Sequence, residues 1–206
     1  MSFADYGYVS AEPTGTDMAI YRAVEALLRA NVERGARVLD LGCGNGLFTK
    51  QLANHGYRCL GLDTSASGIV VASQAHPDVQ FSCGDSESLL HSGQASFDAV
   101  VSVEVIEHCP STSDFCLDIA RSLRPGGSAI ITTPYHGYVK NLLIALLGMG
   151  DRHYNPLWDG GHIKFFSPKT LTRALEKAGM QVCSLTRVGR LPMIVKSMVI
   201  HAKLPV

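Results

Sequence analysis

Two rhythms of apolar residues run along the chain. At helical spacing stand Met18, Tyr21, Val24, Leu27 and Leu28, which predict a helix over 17–30 with Asp17 as its cap. A second helical set begins at Leu47 and Phe48 and continues through Leu52 and Ala53. Between and after them come short unbroken apolar runs of the kind a buried parallel strand carries: Val38 to Leu41, Tyr57 to Asp63, Asp78 to Cys83, Phe97 to Val103, and Ser128 to Pro134. Small residues predict a helix over 66–75 and an amphipathic pattern predicts one over 114–123, after which Arg124-Pro-Gly-Gly127 reads as a tight turn. Ser167, with Pro168 behind it, starts a helix that stops at Ala178-Gly179, and two strands near 180–187 and 193–201 finish the chain. Strand alternating with helix predicts an α/β fold on a mainly parallel sheet.

The first strand ends in Asp40-Leu-Gly42-Cys43-Gly44-Asn45-Gly46 and opens into the Leu47 helix. Glycine accepts positive φ and carries no Cβ, so such a loop lets backbone amides approach a ligand. A strand, a glycine loop and a helix begin a nucleotide-binding βα unit. The spacing is G-x-G-x-G rather than the dehydrogenase G-x-G-x-x-G, and no G-x-x-x-x-G-K-[ST] phosphate loop occurs. Asp63 ends the second strand about 20 residues on, where a carboxylate meets ribose hydroxyls in this architecture, with Thr64 beginning the turn behind it. Gly84, Asp85 and Ser86 close the third strand in a turn.

Composition narrows the class. The 206 residues suffice for one domain with a sizeable core, and 1–206 is read as a single domain. Eighteen basic residues balance eighteen acidic ones, so no global basic field holds nucleic acid. Six cysteines at 43, 59, 83, 109, 116 and 183 form no C-x-x-C pair, which implies reduced thiols and a cytoplasmic setting. The first residues lack a basic lead and apolar core, so no signal peptide is expected; residues before 17 are read as a flap or a poorly ordered lead. Arg22, on the first helix, is read either as a contact to a ligand carboxylate or as a solvated surface arginine.

Beyond Val103 lie Glu104, Glu107 and His108, at i, i+3 and i+4, so one helical turn would put all three on one face. Two carboxylates and an imidazole at the C-terminal end of a central strand are costly together unless a cation sits between them, and that donor set suits Mg²⁺, Mn²⁺ or Zn²⁺. Without a metal, a histidine is the candidate general base. Residues 135–166 break the αβ rhythm and are read as a substrate-covering insert. Its apolar run 139–149 is too short to span a bilayer; it would cover an apolar pocket, touch a membrane peripherally, or form a buried helix. Arg152 to Phe166, rich in His and aromatic rings, includes His153 and His162.

The Asp-x-Gly-x-Gly-x-Gly run resembles motif I of the class I S-adenosylmethionine (SAM) methyltransferases, where the loop backs the zwitterionic amino-acid end of the cofactor. The resemblance covers about 17–188 and implies a doubly wound, mostly parallel, seven-stranded Rossmann-like sheet with a final antiparallel strand and helices on both faces. It implies cofactor contacts from Arg22, Asp40, Gly42 to Gly46, Asp63, Thr64, Asp85, Ser86 and Val103. Glu104-x-x-Glu107-His108 and His162-Ile-Lys-Phe165 are most similar to the ubiquinone-biosynthesis O-methyltransferases of the 3-demethylubiquinol type. In that family the Glu-Glu-His set accompanies a divalent cation, which makes His162 the expected fourth ligand, with His136 and His153 as rivals, and Glu107, His108 and His162 the expected catalytic residues. The resemblance implies O-methylation of a small-molecule hydroxyl: phenol, catechol, quinol or sugar-like. A similar Glu-x-x-Glu-His occurs in small-RNA 2′-O-methyltransferases; the balanced charge counts against that reading. The intact loop, Asp63 and the acid cluster count against a non-enzymatic SAM-binding module. Pro134-Tyr-His-Gly departs from the quinone enzymes, and the acceptor and oligomeric state stay open.

Overall fold

The computed structural model describes residues 5, 7–13, 18–86, 96–155, 157–158, 160–189 and 195–206, and of Arg152 the backbone alone. Asp17, expected to cap the first helix, and 193–194 of the expected last strand lie outside the described residues.

The elements run α1 (Met18–Asn31), β1 (Arg37–Leu41), α2 (Leu47–Asn54), β2 (Arg58–Asp63), α3 (Ala66–Ala75), β3 (Gln80–Cys83), β4 (Phe97–Val103), a 3₁₀ turn (Ile106–His108), α4 (Thr112–Ser122), β5 (Leu123–Pro134), α5 (Tyr138–Leu146), α6 (Gly150–Tyr154), α7 (Pro168–Lys177), β6 (Gln181–Val188) and β7 (Ser197–Lys203). They form one seven-stranded sheet in the order β3-β2-β1-β4-β5-β7-β6, in which β7 alone runs antiparallel to its neighbours. The strand order reverses between β1 and β4, the point where a crevice opens beyond the strand ends in doubly wound sheets.

Period-2 alternation divides the core between the two faces of the sheet. Leu39 and Leu41 of β1 join Phe115 and Ile119 of α4 and Leu171 and Leu175 of α7 on one side. Val38 joins Val24 and Leu28 of α1 and Phe48 and Leu52 of α2 on the other. Ser65 and Ser111 cap α3 and α4, accepting from the third amide inside each helix, and Ser167 caps α7 in a reciprocal box with Thr170.

Two expectations are corrected. Arg124-Pro-Gly-Gly127 is not a turn outside the sheet but an irregularity within β5: Phe97 pairs with Leu123, and the ladder resumes at Ala99 with Ser128. Glu104, Glu107 and His108 do not share a helical turn. Glu104 has φ 57, in the left-handed region, and only three residues of 3₁₀ turn follow. The left-handed residue takes Glu104 out of the helical register on which the one-face reading depends.

Candidate functional site

Gly42, Gly44 and Gly46 all adopt positive φ, 82, 53 and 77. A side chain at Gly42 would collide with Val105, and one at Gly44 would stand 2.7 Å from the Tyr8 hydroxyl. The amides of Gly42 and Cys43 donate to Leu62 O (2.8 and 3.2 Å), Gly44 N donates to Asp63 Oδ2 (2.7 Å), and Gly46 N donates to Cys43 O (3.0 Å). Those four amides are therefore engaged inside the chain, not directed at a ligand as expected. The pattern suits a zwitterionic ligand end, whose ammonium donates, better than a phosphate, which needs donors.

Asp63 ties the loop to the next turn, its Oδ1 accepting from Ser65 N at 2.8 Å. It is partly buried, and burial raises its pKa. Asp40 is 2% exposed and accepts from Thr49 Oγ1 at 2.6 Å; alternation along β1 turns it toward α2, and burial lifts its pKa to about 7. Asn45 turns its side-chain amide to the carbonyls of Ser10 (3.1 Å) and Glu12 (2.8 Å). Ser86 Oγ donates to Asp118 Oδ2 at 2.6 Å, while Arg22, Thr64 and Asp85 are exposed and Val103 is half-buried at the end of β4. Cys43 is buried, which raises its pKa well above the ordinary thiol value, and all six cysteines are free.

The second centre gathers residues far apart in sequence. Glu107 is fully buried; Thr133 Oγ1 donates to its Oε2 at 3.0 Å, but its Oε1 has no hydrogen-bond partner. Burial, then the charge of Glu104, push its pKa well above the usual carboxylate range. Two backbone hydrogen bonds bring the far end of the insert onto this residue: Ile163 N and Lys164 N both donate to Glu107 O, at 2.9 and 3.0 Å. His162 arrives with them, its Nε2 3.9 Å from Glu107 Oε1. That separation is not an ion pair, because burial and the neighbouring His108 hold His162 down to a pKa of about 4. His108 packs edge-on to His162, ring centroids 4.8 Å apart. Its Nδ1 lies 2.7 Å from Gly160 O and 3.2 Å from Gly161 O. Carbonyls only accept, so Nδ1 carries the proton and Nε2 keeps the lone pair. Burial lowers the pKa of His108 as well.

Ligand atoms of Glu107, His108 and His162 all lie within 4.8 Å of one another. Glu104 is not in that group: its Oε1 accepts from Thr132 Oγ1 (2.7 Å) and its Oε2 from Ser197 Oγ (3.1 Å). His136 and His153 pair with each other instead, ring centroids 5.8 Å apart, beside Tyr154 and Phe165. Sequence reading missed Thr132, Thr133 and Ser197. Two consecutive hydroxyls ending an apolar strand were a usable signal for the first pair; nothing local marks Ser197.

The insert leaves apolar side chains in the open on α5, among them Tyr138 (80% exposed), Leu146 (72%) and the following Leu147 (67%). No described helix is long and apolar enough to cross a membrane.

Comparison with known proteins agrees with the fold. A methyltransferase domain family matches residues 17–185. A ubiquinone biosynthesis O-methyltransferase of Coxiella burnetii is 31% identical over 166 residues, 78% of this chain and 70% of that one. The biotin biosynthesis bifunctional protein BioHC of Cellvibrio japonicus is 33% identical over 178 residues, 85% of this chain and 34% of that protein. An S-adenosylmethionine-dependent methyltransferase from Mesorhizobium loti superposes with a TM-score of 0.71 at 21% identity, covering 92% of this chain and 98% of that one. The cyclase SpnF has the same fold at a TM-score of 0.73 and 17% identity, over 100% of this chain and 88% of its own. With its glycine loop, strand order and family match in agreement, the chain belongs to the SAM-dependent methyltransferases.

Proposed function

We propose that the chain methylates a hydroxyl of a small molecule, with Glu107, His108 and His162 holding a divalent cation beside the acceptor. The observation that carries this reading is Oε1 of Glu107, a buried carboxylate oxygen with no hydrogen-bond partner, facing two imidazoles held neutral. A buried acceptor without a donor is costly, and two neutral imidazoles add lone pairs without adding charge. One carboxylate and two imidazoles form a donor set that fits Zn²⁺ or Mn²⁺ and, completed by oxygen ligands, Mg²⁺. The alternative of a histidine base fits less well: with a pKa of about 4, His162 takes a proton from a hydroxyl poorly near neutral pH.

SAM supplies a methyl group on a sulfonium, and a bound cation lowers the pKa of a hydroxyl next to it. The remaining work falls to the chain. The Gly160 and Gly161 carbonyls fix the His108 tautomer, as the outer partners of metal-bound histidines do. Thr133 holds the other Glu107 oxygen, so the carboxylate keeps one orientation. Glu104, anchored by Thr132 and Ser197, adds negative charge close to Glu107 without joining the three ligands. At the other end Asp63 receives the ribose hydroxyls, the glycine loop backs the amino-acid end, and Asp85 stands by the adenine. Methyl transfer then depends on aligning donor and acceptor, which is orientation more than chemistry. Trp158, beside His108 and His162, Phe165, beside His136, and the apolar α5 support an acceptor with an aromatic or otherwise apolar body. The O-methyltransferase name of the Coxiella relative supports hydroxyl as the target.

The test is calorimetry with SAM-saturated protein, titrating Mn²⁺, Mg²⁺ or Zn²⁺ and then catechol, on wild type and Glu107→Ala. Expected are one metal site in wild type, its loss in the variant with SAM binding kept, and catechol binding only to the metal-loaded protein. SAM binding without any metal site in the wild type would sink the cation and return the work to a histidine base.

A further inference from the structure

Ahead of α1, residues 7–13 with Asp5 lie across the cofactor loop rather than trailing into solvent. Asp5 Oδ1 accepts from Ser65 Oγ at 2.5 Å and from Ser67 Oγ, and its Oδ2 accepts from Ser67 N at 3.1 Å. Tyr8 N donates to Ser67 Oγ at 2.9 Å. The Tyr8 ring lies in a slot that exists only because two residues lack side chains: a Cβ on Gly44 would stand 2.7 Å from the hydroxyl, and one on Gly68 would stand 3.0 Å from Cδ2. Further along, the carbonyls of Ser10 and Glu12 receive the Asn45 amide.

Every one of these contacts lands on the glycine loop or on Ser65 and the first turn of α3, none on the sheet core. Val9, in the middle of the segment, is 93% exposed. The segment therefore contributes little apolar burial, and its hold is a set of hydrogen bonds and one ring in a slot. That is the profile of a local unit which opens without unfolding the domain. Gly44 and Asn45, which the segment touches, are both buried.

We propose that residues 7–13 with Asp5 form a strap that completes the cofactor site, Tyr8 being a cofactor-retaining residue, and that exchange of SAM for its demethylated product requires the strap to lift. This rests on the reading of Gly42 to Gly46 and Asp63 as the cofactor site. The strap adds a wall that the glycine loop and Asp63 leave open, so it governs rates of entry and exit more than the identity of the ligand.

The experiment is a chase: protein preloaded with tritiated SAM, or with labelled S-adenosylhomocysteine, is mixed with excess unlabelled compound and bound label is followed in time. Asp5→Ala/Tyr8→Ala is expected to speed dissociation of both compounds by about tenfold, and to speed association as well, since a gate slows both directions. Ser67→Ala, which removes the anchor shared by Asp5 and Tyr8 without touching the loop, is expected to speed both to a smaller degree. Asp63→Asn is the control on the site itself: it should weaken equilibrium SAM binding while leaving the strap in place. Unchanged dissociation in both strap variants would overturn the proposal, even with a lower melting temperature, because a merely structural segment moves stability and not exchange. Unchanged SAM affinity in Asp63→Asn would instead overturn the placement of the ribose.

Discussion

The proposed cofactor end and the proposed acceptor end of the site are built on different principles. At the cofactor end, the loop 42–46 and Asp63 are about twenty residues apart on adjacent parallel strands, and the loop is fixed by its own backbone: positive-φ glycines, amides engaged with Leu62 and Asp63, and a neighbour, Val105, that leaves no room for a side chain. At the acceptor end, Glu107 and His162 are 55 positions apart, and they meet because Ile163 and Lys164 donate to one carbonyl. The first is geometry that a short stretch of chain enforces on itself. The second is a juxtaposition that exists only while the insert stays docked. Rigid support for a common donor, and a loop-borne centre free to vary, is the division expected of a fold that serves many acceptors.

The comparison breaks most sharply at His162. If the two ends are independent, His162→Ala should lower kcat/KM for methyl transfer by about 10²–10³-fold while the SAM dissociation constant stays within about twofold. Steady-state kinetics beside calorimetry checks this, and a parallel loss of SAM affinity would show the ends to be one unit.

A smaller effect is expected where the two ends touch. Gly42→Ala imposes positive φ on a residue with a Cβ and drives that Cβ into Val105, the residue between Glu104 and the 3₁₀ turn. The change should destabilise the domain by about 2–4 kcal/mol, read by chemical denaturation. Val105→Ala, by clearing the collision, should recover part of it; no recovery would mean the strain lies in φ alone.

The smallest effect sharpens the acceptor end alone. Burial and Glu104 raise the Glu107 pKa above its ordinary 4.5 in the folded protein. Without metal, the stability this represents is full below pH 4.5 and is lost as pH rises through the raised value. Glu107→Gln keeps a neutral group at every pH. In chelator, its melting temperature should match wild type in acid and exceed it by about 2–4 °C at about pH 8, the shift that about 1 kcal/mol produces in a domain of this size. A variant less stable than wild type at high pH would mean the carboxylate is charged and compensated.

Much of this was legible in the residues. Apolar runs located β1, β2 and β4 to within a residue, because strands covered on both faces carry continuous hydrophobic sequence. Ser167 marked its helix because a cap is a contact between near neighbours. The i, i+3, i+4 spacing of Glu104, Glu107 and His108 misled, since spacing presumes a helix and Glu104 is left-handed. The loop amides misled too: glycine spacing showed that the backbone could come close, not that β2 would already occupy its donors. For the segment before α1, polarity suggested a flap or loose lead and could not show a tyrosine slotted between Gly44 and Gly68.

By itself, then, the sequence determined the alternation of strands and helices, the glycine loop with Asp63 behind it, and the family, all carried by residues close along the chain or by an unbroken run of one character. Only the tertiary structure decided which way Glu104 turns, that one oxygen of Glu107 is buried without a donor, and that His162 rather than His136 stands beside it. Those outcomes depend on contacts between residues 28 to 93 positions apart, from Thr132 and Ser197 onto Glu104 and from the insert onto Glu107, and no local pattern encodes a partner at that distance.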